Sequence, residues 1–533
     1  MSIRCGIDLG TTYSAISWYD ADNRRVETID LEHADGHNII PSVVYFEAGG
    51  NIVVGEAARN ANLQHSERVL VGIKRSMGED YKTPPIDGRE YTPQEISAEI
   101  LKVLKTDAEQ WLGEPLKDVV ISVPAYFGDR ERLATQEAAQ LSGLNVLELI
   151  PEPHAAALAF AVDRVKDVEN RNILVYDLGG GTFDVTLIMT EREELEGSLI
   201  GLRINTLAKE GNRQLGGLDW DRVLARLVAD KAMDQYGIAD PHNDAQAEAT
   251  LMKNCEAAKR SLSQVNTLQI LADLQGHQVE VTRSEFEEAT RDLVLQTEFL
   301  LEKVLEEVEK NHGLLTEKRI QERVGQGTPR AELEAKKVRL LLCGGATRMP
   351  MVKDCVSRVM GEAPLQHKNP DLLVTVGAAY HAYLLGATGT AAGAGPTIQT
   401  RDGAITLLAG GGDIGKPIGV EVVEVDNRGN VTRKQNVVII RRGAQHNEVF
   451  EQEFGTAFAG MTEIPLVFYE GDSPEPEDCT RLADVTITGL PPGRSAGRPV
   501  KVRLWYDHNG IVCGQAIDLE TRQDVEIKIE RWS

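Results

Sequence analysis

Residues 5–18 read CGIDLGTTYSAISW, and residues 175–188 read VYDLGGGTFDVTLI. Each copy is an apolar strand pattern, then Asp-Leu-Gly, then small or hydroxyl residues, then a second β-type run. Backbone N–H groups gather around a phosphate only where the chain turns sharply and approaches closely, and glycine permits both. Gly10-Thr11-Thr12 and Gly179-Gly180-Gly181-Thr182 can each form such a turn. Asp8 and Asp177 end the preceding strands, where carboxylates can orient waters around magnesium, a cation that keeps several of its waters. Thr182 and Asp184 fall past the second turn, where a terminal phosphate would lie. Either turn alone reads equally well as a Gly-rich surface hairpin. Two matched copies predict two related halves that face a shared cleft and hold a polyphosphate from both sides.

Outward from these copies, short apolar strand signals alternate with longer amphipathic patterns from Ile3 to about Leu385, as in an α/β domain. Val119 to Pro124 reads as a strand, and Asp129 is placed to cap a helix that stops at Gly143. Phe286, Leu293, Leu300, Val304 and Val308 share one face of a single helix over 285–311. The stretch 384–403 is rich in Gly, Ala and Thr, with little periodicity, and reads as a linker. From about Asp413 to Glu530 the pattern is strands and turns without a helix. DVEIKIE alternates cleanly, and Asn509-Gly510 suits a hairpin turn. The expected organisation is an α/β domain over 1–385, a linker over 386–412 and a β domain over 413–533.

The 533 residues carry 57 Lys plus Arg against 82 Asp plus Glu, a formal charge of −25. That balance argues against a nucleic-acid surface and against an anionic membrane surface, since both need local positive potential. No apolar run approaches the roughly 18–20 residues of a membrane span. MSIRCGIDLG runs directly into a strand, without a charged-then-apolar leader. Six cysteines lack CxxC spacing and read as reduced thiols. The chain is expected to be soluble and cytoplasmic. Gly410 to Lys416 has the spacing of a GxxxxGK phosphate loop, but Pro417 stands at the Ser/Thr position and a β pattern follows, so it is set aside.

GIDLGTTYS, VPAYFGDRER, EPHAAALAF, VYDLGGGTFDVT, LGGLDWD, CEAAKRSLS and CGGATRMP, in this order, resemble the seventy-kilodalton heat-shock chaperone family over Ile3 to about Leu385. The resemblance implies an actin-like two-lobed ATPase domain, then a linker and a peptide-binding β-sandwich. It implies ATP or ADP with magnesium, with potassium as a further candidate. It places Gly10, Thr11, Thr12, Tyr13, Gly179, Gly180, Gly181 and Thr182 at the phosphates and Asp8 and Asp177 at the metal. Lys74 matches the catalytic lysine, Glu152 the acid that senses nucleotide and water, and Thr182 and Asp184 complete the catalytic set. Pro124 and Arg132 match a pair that relays nucleotide state. Glu256, Lys259, Arg260 and Ser263 match an adenosine-binding helix, and their spacing puts them on one face. Gly344, Gly345 and Arg348 would close the adenine pocket.

The departures from the family carry expectations of their own. The family's β domain ordinarily continues into a helical lid, and this chain, ending at Ser533, reads as a lidless member that releases peptide faster. Ile405-Thr406-Leu407-Leu408 stands for the leucine-rich linker, with Ala409 in place of its acid. Glu148 replaces the arginine that contacts J-domain proteins, and Pro151 replaces an asparagine. An acid for a base reverses the local field, so ordinary J-domain co-chaperones are not expected to stimulate this chain. A nucleotide-exchange factor remains a candidate partner. The charged segment 312–337 reads as a solvated insertion. The resulting reading is an ATP-dependent chaperone for extended apolar polypeptide. Its rival is a nucleotide-controlled scaffold for one dedicated partner, and an actin-like filament former is disfavoured by the appended β domain.

Overall fold

Both Asp-Leu-Gly copies fold into the same hairpin in the computed structural model, which describes residues 3–34, 37–163, 171–195, 199–385, 397–400, 403–407, 416–426, 430–441, 444 and 448–527. Strand Arg4–Asp8 pairs antiparallel with Tyr13–Asp20 and parallel with Asp118–Val123. Strand Arg171–Leu178 pairs antiparallel with Phe183–Leu195 and parallel with Val338–Cys343. Each second strand then pairs antiparallel with a third, Arg25–Thr28 in one sheet and Leu199–Asn212 in the other. The sequence repeat is therefore a repeat of topology.

By internal contact the chain divides into two units. The first comprises Met1–Met77, Tyr81–Tyr126 and Thr135–Gly410. Its two sheets share a core with two helices, Glu152–Asp163 and Leu373–Leu385. Val120 and Ile150 enter that core from one sheet, and Val175, Ile188 and Leu341 from the other. The helices approach closely because their contact residues are small. A Cβ at Gly377 would lie 1.8 Å from the Ala155 carbonyl oxygen, and one at Gly6 would lie 2.1 Å from the Ala379 nitrogen. A second core surrounds Trp220, with Tyr176 and Phe183 from the second sheet and apolar faces of helices Gly217–Tyr236, Ala245–Leu262 and Arg291–His312. Two sheets of one winding, each backed by helices, make the two-lobed actin-like fold.

The second unit comprises Gly78–Asp80, Phe127–Ala134 and Gly411–Ser533. It contains two four-stranded antiparallel sheets. One runs in the order Val431–Ile440, Ile418–Val425, Ile464–Glu470, Thr480–Ile487; the other runs Phe450–Gly455, Pro499–Tyr506, Val512–Asp518, Asp524–Ile527. Alternate side chains such as Val502, Leu504 and Tyr506 face Ile418, Val420 and Phe468 across the sandwich. The Asn509-Gly510 turn forms with Gly510 at φ +70°, where glycine carries little strain. Within this unit Arg132 is buried and donates from Nη1 to the Asn509 carbonyl at 2.9 Å.

Three local expectations change. The single helix over 285–311 is two, Arg283–Ala289 and Arg291–His312. Buried Thr290 interrupts them, with its hydroxyl donating to the Phe286 carbonyl at 2.8 Å. Segment 312–337, read as a solvated insertion, is largely exposed but regular, because helices Glu317–Gly325 and Arg330–Glu334 form in it. The buried Glu317 carboxylate holds them, accepting from Arg330 at 2.9 Å and Lys337 at 2.7 Å over a small Leu315, Ile320 and Leu333 core. Asp129 is the first residue of helix Asp129–Leu141, not the residue before it. Part of the Gly/Ala/Thr-rich stretch is regular as well. Ile398–Thr400 and Gly403–Leu407 form a hairpin whose second strand adds parallel to Leu199–Asn212, burying Ile398 and Ile405 beside Ile200 and Leu202. Leu408, Ala409 and the stretch Gly410 to Gly415 lie outside the described residues.

Candidate functional site

The two glycine turns meet. A Cβ at Gly180 would lie 1.9 Å from Thr12 Oγ1, and one at Gly181 would lie 2.2 Å from Thr11 Cγ2, so neither position accepts a larger residue without displacing the opposite turn. Gly10 is held by Ser42, whose hydroxyl donates to its carbonyl at 2.8 Å. The second turn is pinned to the start of helix Gly217–Tyr236, where Gly217 and Leu218 N–H groups donate to the Gly179 and Gly180 carbonyls at 2.9 and 2.8 Å. Arg75 adds a bond from Nε to the Gly181 carbonyl at 2.8 Å. Between the turns opens a cleft of about 660 Å³.

At its floor the two parallel strands put Asp8 opposite Ser122 and Asp177 opposite Cys343. The Ser122 hydroxyl donates to Asp8 Oδ1 at 2.8 Å. Lys74 comes from a 3₁₀ turn, Ile73–Ser76, that follows Gly72 at φ +71°. Its ammonium donates to Glu152 Oε1 at 2.7 Å, with both side chains over nine-tenths buried. Glu152 begins helix Glu152–Asp163. Asp184 faces Asp177 across the hairpin, and its Oδ1 is buried without a hydrogen-bond partner.

Four carboxylates thus share one ammonium, and their protonation responds. Burial, reinforced by Glu152, pushes Asp8 up to about 6 and Asp184 up to about 7, against the pull of Lys74. Burial and the neighbouring Glu152 and Asp184 charges push Asp177 well above the usual carboxylate range. Burial works to neutralise Lys74, but the Glu152 and Asp8 carboxylates outweigh it and hold its pKa above the ordinary lysine value. A site with this surplus of acid accepts cationic charge. Among the described residues no group of three or more His, Cys, Asp or Glu side chains is arranged to hold a metal directly. Asp8 and Asp177 therefore suit an ion that keeps most of its waters.

The far wall of the cleft comes from helix Ala245–Leu262 and the turn after Val338–Cys343. Glu256, Lys259, Arg260 and Ser263 line it together, facing Gly344, Gly345 and Arg348. Gly344 sits at φ +82°, and a Cβ there would lie 2.4 Å from the Leu178 carbonyl oxygen. Tyr13 ties the walls. Its hydroxyl donates to Glu256 Oε1 at 2.6 Å and accepts from Arg59 at 2.7 Å and Arg260 at 2.6 Å. Lys259 pairs with buried Asp221 at 2.7 Å. Of the residues the resemblance placed at nucleotide and metal, Gly181 and Asp184 stand just behind the lining and the others form it; Cys343 lines it too, whereas Cys255, Pro124 and Arg132 do not. Sequence reasoning missed Arg59, Asp221 and Asp371. Asp221 closes the LGGLDWD run, which was its available signal; Arg59 and Asp371 sit in stretches without one.

Paired glycine turns over a carboxylate-and-lysine floor define a nucleotide-binding ATPase of the actin-like class. The Hsp70 protein family matches residues 4–533 of this chain. The chain is 38% identical over 523 residues to the chaperone protein DnaK of Thermotoga maritima, covering 96% of this chain and 78% of that protein. It is 37% identical over 528 residues to the chaperone protein DnaK of Thermosipho africanus, covering 97% and 78%. The chain belongs to the Hsp70 family.

Proposed function

We propose that this protein is an ATP-dependent chaperone in which ATP hydrolysis in the first unit controls the hold of the β-sandwich on extended apolar polypeptide. The meeting of the two glycine turns above the Lys74–Glu152 pair carries this reading. Thr11, Thr12, Tyr13 and the glycines of both turns hold the phosphate chain, and buried Thr12 Oγ1, without a partner, is a donor for it. Asp8 and Asp177 would hold magnesium, and that ion, when bound, would supply positive charge against the phosphate oxygens. Lys74 stabilises charge developing on the terminal phosphate and positions the attacking water, while Glu152 orients Lys74. Thr182 and Asp184 lie beside that position. Glu256, Lys259, Arg260, Ser263, Gly344, Gly345 and Arg348 hold the nucleoside.

Coupling requires that nucleotide and peptide each prefer one of two arrangements. The β unit grips backbone and alternate side chains of an extended segment. Glu148, paired with His381 at 3.1 Å, presents acid where a J-domain would need base, so ordinary J-domain proteins leave hydrolysis unchanged. The protein acts in the cytoplasm. Single-turnover hydrolysis with magnesium and potassium, with and without an unfolded apolar peptide, tests the proposal. Acceleration by peptide, lost in Thr182→Ala, is expected; hydrolysis indifferent to peptide would leave an ATPase without the proposed coupling.

A further inference from the structure

We infer that a second small-anion site, of phosphate class, lies behind the Arg348 wall of the cleft. A cavity of about 310 Å³ shares Arg348, Lys353 and Pro370 with the cleft. Its remaining polar walls are Thr347, Gln366, His367 and Lys368. Arg348, Lys353 and Lys368 bring three positive charges to it, Gln366 adds a neutral donor, and no Asp or Glu lines it; the Thr347 hydroxyl is already donated to the Gly344 carbonyl at 2.6 Å. In a chain whose net charge is −25, a carboxylate-free wall with three cations runs against the overall balance and needs a reason. An oxyanion supplies one, since it accepts from every donor present.

The surroundings strengthen the match. Buried Leu342 and Pro370 back the cavity, and an apolar backing strengthens charge–anion attraction. Arg348 donates through Nη2 to Asp371 at 2.5 Å, and Asp371 lines only the cleft. The carboxylate therefore anchors the guanidinium at the partition, and that group has further N–H donors for a second acceptor. The volume suits a phosphate with a few waters and excludes a macromolecule. The inference stands on this cavity and does not depend on how the cleft uses ATP.

Inorganic phosphate is the probe, titrated into the ADP-loaded full chain at constant ionic strength and followed by phosphorus-31 line broadening. Saturable broadening is expected, weakened at least tenfold in Lys368→Glu and also reduced in Gln366→Glu, while ADP affinity stays unchanged in both. Lys368 and Gln366 are exposed and remote from the glycine turns, so phosphate held next to ADP in the cleft would not respond to either change. Absence of saturable broadening, or broadening that survives both substitutions, overturns the site.

Discussion

Replacing Lys74 with methionine separates what this side chain does for stability from what it does for chemistry. Its ammonium is the near partner of Glu152 at 2.7 Å, and both are almost fully buried. Removing one member of such a pair costs about 3–5 kcal/mol, because the other charge stays buried without compensation. Protonation caps that cost. A carboxyl that ordinarily titrates near 4.3 takes up a proton at pH 7.3 for about 4 kcal/mol, and each pH unit lower reduces this by about 1.4 kcal/mol. Urea unfolding of nucleotide-free Lys74→Met should therefore show a deficit of about 3–4 kcal/mol near neutrality that shrinks as pH falls. Adding Glu152→Gln should recover most of it, since neither charge is then left alone. Hydrolysis should not recover. Loss of one preorganised cation opposite developing charge slows the chemical step by about 10²–10³-fold, and single-turnover assays should find both variants slow. A deficit that is independent of pH, or a double variant no more stable than the single one, would refute this account of the floor.

Arg59→Ala removes one of the cations that bind the Tyr13 hydroxyl, together with a 3.6 Å pairing to Glu256. A charge-assisted bond of about 1.5–2 kcal/mol predicts nucleotide release about 10–30-fold faster by stopped flow, with the chemical step unchanged. Gly180→Ala forces a methyl group into Thr12, and ADP affinity measured by calorimetry should fall at least tenfold, while Gly49→Ala, where open space surrounds the position, should leave that affinity unchanged. Asp8 and Asp184 titrate at about 6 and about 7 in the nucleotide-free cleft. Raised carboxyls bind more protons folded than unfolded, so their contribution is intact below about pH 4 and is lost as pH rises through 6 to 7. Nucleotide-free stability should decline across that window, whereas the magnesium-dependent part of ADP affinity should rise, since the ion competes with the same protons.

The cleft was legible because its chemistry is local in sequence. Asp8 with Gly10 to Tyr13, and Asp177 with Gly179 to Asp184, each lie on one strand–turn–strand device, so a short window contains both the fold signal and the site signal. The far-wall residues 256, 259, 260 and 263 share a helix face by their spacing, but only the family resemblance marked that face as part of the cleft. Arg59 and Asp371 did not read, because Arg59 acts through Tyr13, 46 residues away, and Asp371 through Arg348, 23 residues away, and an isolated Arg or Asp has no pattern. The break at Thr290 was hidden for a different reason. Apolar periodicity continues across it, and only a buried hydroxyl bonding back to Phe286 marks the change of helix. Segment 312–337 reads as a solvated insertion from its charges alone; buried Glu317 pairs with two of them, exposed Arg330 and partly buried Lys337, and this holds its two helices.

The paired hairpins are alike in path but not in content. Position for position, Asp8 corresponds to Asp177, but the residue across from Asp8 is Ala15 and the one across from Asp177 is Asp184. A doubled scaffold would, left symmetric, offer a polyphosphate two indistinguishable ways to enter. A polyphosphate ester has a head and a tail, and a catalyst that cannot tell them apart spends half its encounters on the wrong bond. A methyl group in place of a carboxylate is one of the differences that give the cleft a polarity its repeated backbone lacks.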